Sequence, residues 1–166
     1  DTEYQWVVWF AHRADKIELE LGLARAGITF NYIDGTVPIQ LRSDIAEEIR
    51  KGKKRVFLGQ QSAASTGITL VPYPNSQYQG QAIMYYTNSY KCGNRQQSED
   101  RTHRIGLDKD RIENVPYYDL LYKQTIEVSI RELLRRRIEL NTMLTNKETL
   151  KDAKLMALLS GTVNVR

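Results

Sequence analysis

The sequence predicts a three-layer α/β domain, in which a mainly parallel sheet is covered by helices on both faces. Two observations lead to this fold class. Short apolar segments of strand length alternate along the chain with longer segments of helical composition. Strands separated by helices are most simply joined as parallel neighbours, with the helices packed on the sheet. The length of 166 residues suits one compact domain with its own core.

The first half of the chain begins with the apolar run Val7-Val8-Trp9-Phe10, which predicts the first strand. Residues 16–26 alternate in hydrophobicity as a strand would, but their Glu, Leu and Ala content favours a helix. That helix is expected to end near Gly27. Residues 28–33 predict a second strand, which Asp34-Gly35 stops.

The remaining elements follow the same alternation. Apolar residues between 39 and 49 suit a helix, with Gly52 just beyond its end. Further strands are predicted at residues 56–58, 82–86 and 119–122. The stretch between residues 72 and 80 is rich in Pro, Asn, Ser and Gln and predicts a loop.

The C-terminal part carries a helical apolar stripe, which we expect to pack against the sheet. The stripe consists of Ile126, Ile130, Leu133, Leu134 and Ile138. A second helical pattern follows in residues 146–166, which predicts either an appended helix or a tail beyond a domain formed by residues 1–145.

Composition narrows the function classes. No stretch is long and apolar enough to cross a bilayer, and no signal peptide is visible. Cys92 is the single cysteine, which excludes an internal disulfide and a zinc site made of several thiolates. The net charge of +4 permits a nucleic-acid partner without requiring one. The basic runs at residues 51–55 and 135–137 suit solvated surface.

The most informative segment is QSEDRTHRIG, at residues 97–106. On a helix with about 3.6 residues per turn, Gln97, Arg101 and Arg104 share one face. Two permanently charged guanidinium groups on one face suit an anion whose charge moves during a reaction, such as a nucleotide γ-phosphate. By spacing alone the alternative is a solvated face, on which Glu99 and Asp100 pair with the arginines.

This segment resembles motif VI of the Swi/Snf-type superfamily-two helicases and translocases, whose pattern reads approximately QAxDRxHRIGQ. The match departs at Leu107, where that family usually has Gln. The matching positions are Gln97, Asp100, Arg101, His103, Arg104, Ile105 and Gly106.

Other segments resemble motifs of the same family and stand in the same order. Residues 6–10 with the helix after them resemble motif IV, and residues 32–36 with Arg42 resemble the "ldGsts…R" segment. Residues 56–70 are similar to motif V, although Ala64 replaces a usual Gly and Thr69 a usual Asn. The Thr-Ile-Glu at residues 125–127 resembles the "TiEe" that opens the next helix. The resemblance covers residues 6–137.

The resemblance implies the C-terminal RecA-like lobe of a larger ATP-driven helicase or translocase acting on double-stranded DNA. It implies that Arg104 is the arginine finger, that Arg101 is its partner and that Gln97 orients water or holds the γ-phosphate. Nucleotide contacts would also come from Thr66 and Gly67. The implied nucleic-acid contacts are Ser62, Ala63, Ser65, His12 and Arg42.

The chain has neither a GxxxxGK[ST] phosphate loop nor an Asp-Glu pair at the end of an apolar strand. ATP and magnesium are therefore expected to be bound mainly by an N-terminal RecA-like lobe, and this chain alone is expected to be inactive. The expected compartment is the cytoplasm of a bacterium or a phage-infected host, or the nucleus if the source is eukaryotic.

One alternative to the translocase function is a non-catalytic docking module derived from such a lobe. Another alternative is an unrelated nucleotide-binding α/β enzyme. The sequence argues against it, because it shows no phosphate loop, metal cluster or nucleophile–base pair.

Overall fold

A computed structural model describes residues 4–64, 67–78, 80–102 and 115–145. Its centre is a five-stranded sheet with the spatial order β2-β3-β1-β4-β5, and every pair of neighbouring strands is parallel. The predicted α/β class with a mainly parallel sheet is thus confirmed. The strands are β1 (Tyr4–Phe10), β2 (Phe30–Ile33), β3 (Val56–Gln60), β4 (Gly80–Tyr85) and β5 (Tyr117–Asp119).

A helix follows each strand along the chain, in keeping with the alternation that the sequence predicts. They are α1 (Arg13–Arg25), α2 (Ile39–Arg50), α3 (Gln61–Ala64), α4 (Cys92–Glu99) and α5 (Ile126–Thr145). The segment that alternates like a strand is indeed the helix α1. None of the helices within the described ranges has the length and apolar character needed to cross a membrane.

Two clusters of buried side chains lie on opposite faces of the sheet, because successive side chains of a strand point to opposite sides. Val7 and Trp9 of β1 belong to the larger cluster, together with Ile49 of α2. Val8 and Phe10 belong to the smaller one, against which Leu19 of α1 packs. Both faces of the central strands therefore carry apolar residues, as expected for parallel strands covered by helices.

Gly59 allows β3 and β1 to pack closely at the centre of the larger cluster. A Cβ atom at this position would lie 2.5 Å from Cζ3 of Trp9 and 2.9 Å from Cε1 of Phe57. Because Trp9 and Phe57 are fully buried, neither ring has room to move aside. The absence of a side chain at Gly59 is thus a packing requirement.

Two predicted features of the C-terminal part are wrong in detail. The last strand covers Tyr117–Asp119 and not residues 119–122, because Tyr117 pairs with Ile83 and Asp119 with Tyr85. The apolar stripe does not pack uniformly against the sheet: Ile130 and Leu134 are buried, whereas Ile126 is 65% exposed. The reason is that α5 lies beside α4, and only one edge of the stripe reaches the interior.

Candidate functional site

The carboxyl ends of the central strands bring three of the predicted nucleic-acid contacts to one edge. His12 follows β1, and both Ser62 and Ala63 lie in α3, directly after β3. Because Phe10 and Gln60 are paired at the ends of these neighbouring strands, the loop and the helix are adjacent. His12 and Ser62 are exposed, so the edge is open to a ligand.

A cleft of about 260 Å³ opens at the same edge, between the ends of β1 and β4. It is lined by His12, Thr87, Asn88 and Tyr90, with Leu120 and Leu121 among the apolar walls. The connection after β1 runs to one side of the sheet and the connection after β4 to the other. In open α/β sheets such a switch point is the usual place for a ligand.

Arg42 of α2 lies next to this edge, but its guanidinium group is bonded to the backbone. It donates hydrogen bonds to the carbonyl oxygens of Ala63 at 2.7 Å, Val37 at 3.1 Å and Asp34 at 3.4 Å. These bonds hold α3 against the loop after β2. The geometry favours a positioning role for Arg42, since the fork that would bind a phosphate is directed at carbonyls.

The loop after β2 is fixed by the buried carboxylate of Asp34. Oδ1 of Asp34 accepts hydrogen bonds from the amide nitrogen of Thr36 at 2.9 Å and from its hydroxyl at 2.6 Å. Oδ2 accepts a charged hydrogen bond of 2.9 Å from Nζ of Lys16, which also lies 3.4 Å from the centre of the Tyr32 ring. Burial alone would raise the pKa of Asp34, but the bonds from Lys16 and Thr36 lower it to about 2.

We expect this carboxylate to contribute to stability in a pH-dependent way. Because the pKa of Asp34 is lower in the folded chain than its ordinary value of 3.8, its contribution is present above about pH 4. The contribution is lost as the pH falls from about 4 towards about 2. We expect a loss of about 1 kcal/mol, since solvent near the loop screens the ion pair.

Urea unfolding of wild type and Asp34→Asn between pH 2 and pH 6 measures this effect. The variant should be less stable near pH 6 and should approach wild type near pH 2. The matched control is Asp44→Asn on α2, where the side chain is exposed, and its difference from wild type should not follow this pH course. Parallel stability curves for wild type and Asp34→Asn would contradict the expectation.

Of the predicted arginine face, Gln97 lies on α4 and Arg101 lies beyond its end, whereas Arg104 is outside the described residues. Helix α4 ends at Glu99, Asp100 caps it, and Arg101 lies in the following turn. The amide nitrogen of Arg101 donates to the carbonyl of Ser98 at 3.3 Å, and that of Thr102 donates to the carbonyl of Glu99 at 3.1 Å. These i→i−3 bonds tighten the chain after the helix. Gln97 on α4 is exposed.

Arg101 joins the motif VI-like turn to the motif V-like segment. Its side chain donates from Nε to the carbonyl of Gln97 at 3.0 Å and from Nη1 to the carbonyl of Ile68 at 3.1 Å. The amide nitrogen of Leu70 donates to the carbonyl of Arg101 at 2.9 Å. Arg101 is only 9% exposed, so the structure uses it to hold two segments together.

Gly67 lies at the start of this motif V-like segment in an exposed position. Its φ of +76° falls in the left-handed region that favours glycine. A Cβ atom there would meet no atom within 4 Å among the described residues, but the left-handed backbone itself favours glycine at this position.

The sequence patterns missed a buried ion-pair cluster around Arg95 of α4. Arg95 donates hydrogen bonds to Asp119 at 2.5 Å, Glu99 at 2.6 Å and Asn88 at 3.0 Å. Asp119 also accepts a bond of 2.7 Å from Nε of Arg131. The side chain of Arg95 is 8% exposed. The one sequence signal was the spacing of Arg95 and Glu99, four residues apart on a helix.

Aromatic packing completes this cluster. The guanidinium carbon of Arg95 lies 3.3 Å from the centre of the Tyr85 ring, a cation–π contact. The Tyr85 hydroxyl and Oγ of Ser98 share a hydrogen bond of 2.8 Å. Burial raises the pKa of Tyr85 far above its ordinary value, so the phenol stays neutral. Burial would also raise the pKa of Asp119, but its bond to Arg95 lowers it.

Three predicted site residues, Ser65, Thr66 and Arg104, lie outside the described residues, as does the predicted helix or tail in residues 146–166. Within the described ranges, no group of three or more His, Cys, Asp or Glu side chains could hold a metal ion.

The amino-acid sequence is similar to a known protein family and to several known proteins. Residues 2–106 match the model of the helicase conserved C-terminal domain. The chain is similar to the ATP-dependent helicase fft1 of Schizosaccharomyces pombe, with 27% identity over 128 residues, and to fft3 of the same yeast, with 28% identity over 135 residues. These matches cover 76% and 80% of this chain but only 12% and 13% of the relatives.

A third relative is a Caenorhabditis elegans homologue named for a SWI/SNF-related, matrix-associated, actin-dependent regulator of chromatin, subfamily A, containing DEAD/H box 1. It is 28% identical over 129 residues, which are 77% of this chain and 12% of that protein. These three relatives are eukaryotic, and the expected bacterial or phage source stays a prediction.

Among solved structures, the fold is similar to the crystal structure of the C-terminal part of the Fun30 ATPase domain. The TM-score is 0.66 and the sequence identity 22%, over 79% of this chain and 39% of that chain. At this identity the likeness concerns the fold, and it confirms the expected RecA-like α/β architecture.

Proposed function

Because the chain belongs to the helicase conserved C-terminal domain family, as found in Snf2-type ATP-dependent helicases, we propose that it is the second, arginine-bearing lobe of a translocase acting on double-stranded DNA. The observation that carries the proposal is the junction made by Arg101. It ties the motif VI-like turn to the motif V-like segment through Ile68 and Leu70. Residues matched to two helicase motifs thus form one unit.

In this proposal the nucleotide side of the lobe is the turn after α4. Arg104 acts as the arginine finger, stabilising the charge that develops on the γ-phosphate oxygens. Gln97 contacts the γ-phosphate or the attacking water, and Thr66 and Gly67 contact the nucleotide. Arg101 serves mainly to position these groups, because its own guanidinium group binds carbonyls within the lobe.

ATP and magnesium would be held mainly by the N-terminal lobe of the same protein. Such a lobe supplies the phosphate loop and the carboxylates that this sequence lacks. The bound ATP with its magnesium would provide the phosphoryl chemistry. The present chain would contribute positive charge and hydrogen bonds from the opposite side of the nucleotide, completed when the two lobes close.

The nucleic-acid side is the edge formed by the carboxyl ends of the strands. His12, Ser62, Ala63 and Ser65 would contact the phosphate backbone of one DNA strand. Hydroxyl groups and backbone amides suit phosphate oxygens and carry no base preference. Arg42 supports this edge by holding Ala63 in place. Binding should therefore be largely independent of sequence and should weaken with rising salt.

ATP hydrolysis by the full-length protein and by the 166-residue chain tests the proposal. The full-length protein should hydrolyse ATP, and double-stranded DNA should stimulate it. The chain alone should show no turnover, because it lacks the phosphate loop. Measurable turnover by the chain alone would contradict the division of the site between two lobes.

The second candidate function is a docking module without catalysis, which the departures at Ala64 and Thr69 suggest. Ala64 is fully buried within the larger core cluster, where its methyl group has a packing role. Replacement of the usual Gly is therefore compatible with an intact lobe. A full-length protein that binds DNA and has no ATPase activity would support the docking function over the translocase.

A further inference from the structure

We propose that a closed ring of polar contacts makes α3 and α4 respond as one body, with Gln61 and Arg95 as positioning residues for DNA-stimulated ATP hydrolysis. This polar ring runs from Gln61 through residues 87–89 to Arg95, along α4 to Arg101, and back to the segment 67–70. The inference rests on the proposed function. It adds Gln61, which lies within the motif V-like range but has no role in the proposed site, and Arg95, which lies outside the motif-like segments.

The first link of the polar ring is Gln61, at the beginning of α3. Its side chain is buried, and the residue is 1% exposed. Nε2 of Gln61 donates to the carbonyl of Thr87 at 3.1 Å, and Oε1 accepts from the amide nitrogen of Ser89 at 3.0 Å. A single buried amide thus bonds both sides of the loop after β4, and its removal would leave two backbone groups without these partners.

The second link passes through the side chain between those two backbone groups. Nδ2 of Asn88 donates to Oδ1 of Asp119 at 3.1 Å, and Oδ1 of Asn88 accepts from Nη1 of Arg95 at 3.0 Å. Arg95 is itself fixed by its bonds to Asp119 and Glu99. The loop that Gln61 holds is therefore bound to α4 by a buried, charge-assisted network.

The third link closes the polar ring at the far end of α4. Arg101 donates to the carbonyl of Ile68, and its own carbonyl accepts from the amide nitrogen of Leu70. Within the described residues, α3 and the segment 67–70 are thus joined to the α4 region by two sets of hydrogen bonds. One attachment runs through Gln61 and the loop after β4, and the other is the direct contact of Arg101.

Two attachments constrain motion more than one does. Arg42 holds Ala63 against the loop after β2, and Arg101 holds Ile68 and Leu70 against the turn after α4. With Gln61 also bonded, displacement of Ser62 and Ala63 by a DNA strand shifts the loop after β4, and through Arg95 it shifts α4. Gln97 and Arg101 lie at the end of that helix or just beyond it. Binding of DNA at Ser62 and Ala63 thereby changes the positions of Gln97 and Arg101 relative to the nucleotide.

The test uses Gln61→Met in the full-length protein, because Met is of similar length and lacks the amide. DNA-stimulated turnover should fall by about tenfold, a usual size for coupling between two sites. The turnover without DNA, the KM for ATP and the Kd for DNA should each stay within about twofold. A purely structural role would change these quantities together.

The matched control is Gln60→Met. Gln60 is the preceding residue, and its amide joins other loops: it accepts from the amide nitrogen of Gly35 and donates to the carbonyl of Ala11. It has no described bond to the loop after β4, so DNA stimulation should be retained. Asn88→Leu is a second variant, which keeps Gln61 and removes the bonds of Asn88 to Asp119 and Arg95, so DNA stimulation should fall here too. It decides the question if Gln61→Met does not fold.

Hydrogen exchange of the full-length protein separates this inference from the proposed function. Gln61→Met should speed exchange in peptides containing Ser89 and also in those containing Leu70, whereas Gln60→Met should change neither. Wild-type stimulation by DNA in the folded Gln61→Met protein, or faster exchange at Ser89 alone, would overturn the inference. A wild-type protein without DNA-stimulated ATPase activity would instead contradict the proposed function. In that case, the exchange at Leu70 in Gln61→Met compared with wild type would decide whether the polar ring acts as one body.

Discussion

Replacing Arg104 by Ala in the full-length protein should lower DNA-stimulated ATP turnover by about 10³-fold. This is the size of effect found when an arginine that stabilises the charge of phosphoryl transfer is removed. ATP binding should remain nearly unchanged, because the phosphate loop and the magnesium-binding carboxylates are expected on the other lobe. Steady-state ATPase rates together with equilibrium binding of ATP measure the two quantities.

Arg104→Lys distinguishes an arginine finger from a simple positive charge. Lys keeps the charge but lacks the planar fork of donors, so most of the loss should persist. Arg25→Ala, at the exposed end of α1, is the control for the removal of an arginine and should retain turnover. Wild-type turnover in Arg104→Ala would exclude the assignment of the finger to this residue.

The second large effect is expected for Arg95→Met, which should lower the free energy of unfolding by about 3 kcal/mol. Removal of one partner from a buried ion pair is costly because the other charge loses its compensation. Here Asp119 would keep its bond to Arg131 but lose the strongest of its partners, and the face of Tyr85 would lose its cation. Urea unfolding of the 166-residue chain measures the loss.

Arg135→Met on α5 provides the matched control. Arg135 pairs with Glu132 and Glu139, but its side chain is 51% exposed. Exposed ion pairs contribute little, so no measurable change in stability is expected for this variant. The double variant Arg95→Met/Asp119→Leu should recover part of the loss, because two apolar groups replace the charged pair. Equal stability of Arg95→Met and Arg135→Met would show that burial of the cluster is unimportant.

Most of the strands and helices could be predicted because their signals are local. Parallel strands buried on both faces read as apolar runs, and β1 and β3 do so in the sequence. The position of β5 could not be read in this way. Leu120 and Leu121 look like strand residues, yet the pairing of Asp119 with Tyr85 ends the strand before them. Register depends on a neighbour distant in sequence, and no local pattern contains it.

The same distinction applies to the candidate site. The order of the motifs led to the hypothesis that certain residues share a function, and the structure brings His12, Ser62 and Ala63 to one edge. Spacing also predicted a helical face of Gln97, Arg101 and Arg104; α4 ends at Glu99, so Arg101 is not on the same helix as Gln97, and Arg104 lies outside the described residues. The contact of Leu70 with the carbonyl of Arg101 comes from another part of the chain, which a helical periodicity does not reveal.

By itself, the sequence determined the α/β class, the succession of helicase-like motifs and the absence of a phosphate loop, because each is a property of residue order. Only the tertiary structure decided that Arg101 fastens two motifs, that Arg95 is buried among carboxylates and that Gln61 closes a polar ring. The physical reason is that hydrogen bonds and desolvation depend on which distant groups meet in the folded chain. A charged or polar side chain reads the same in the sequence whether water or a buried carbonyl is its partner.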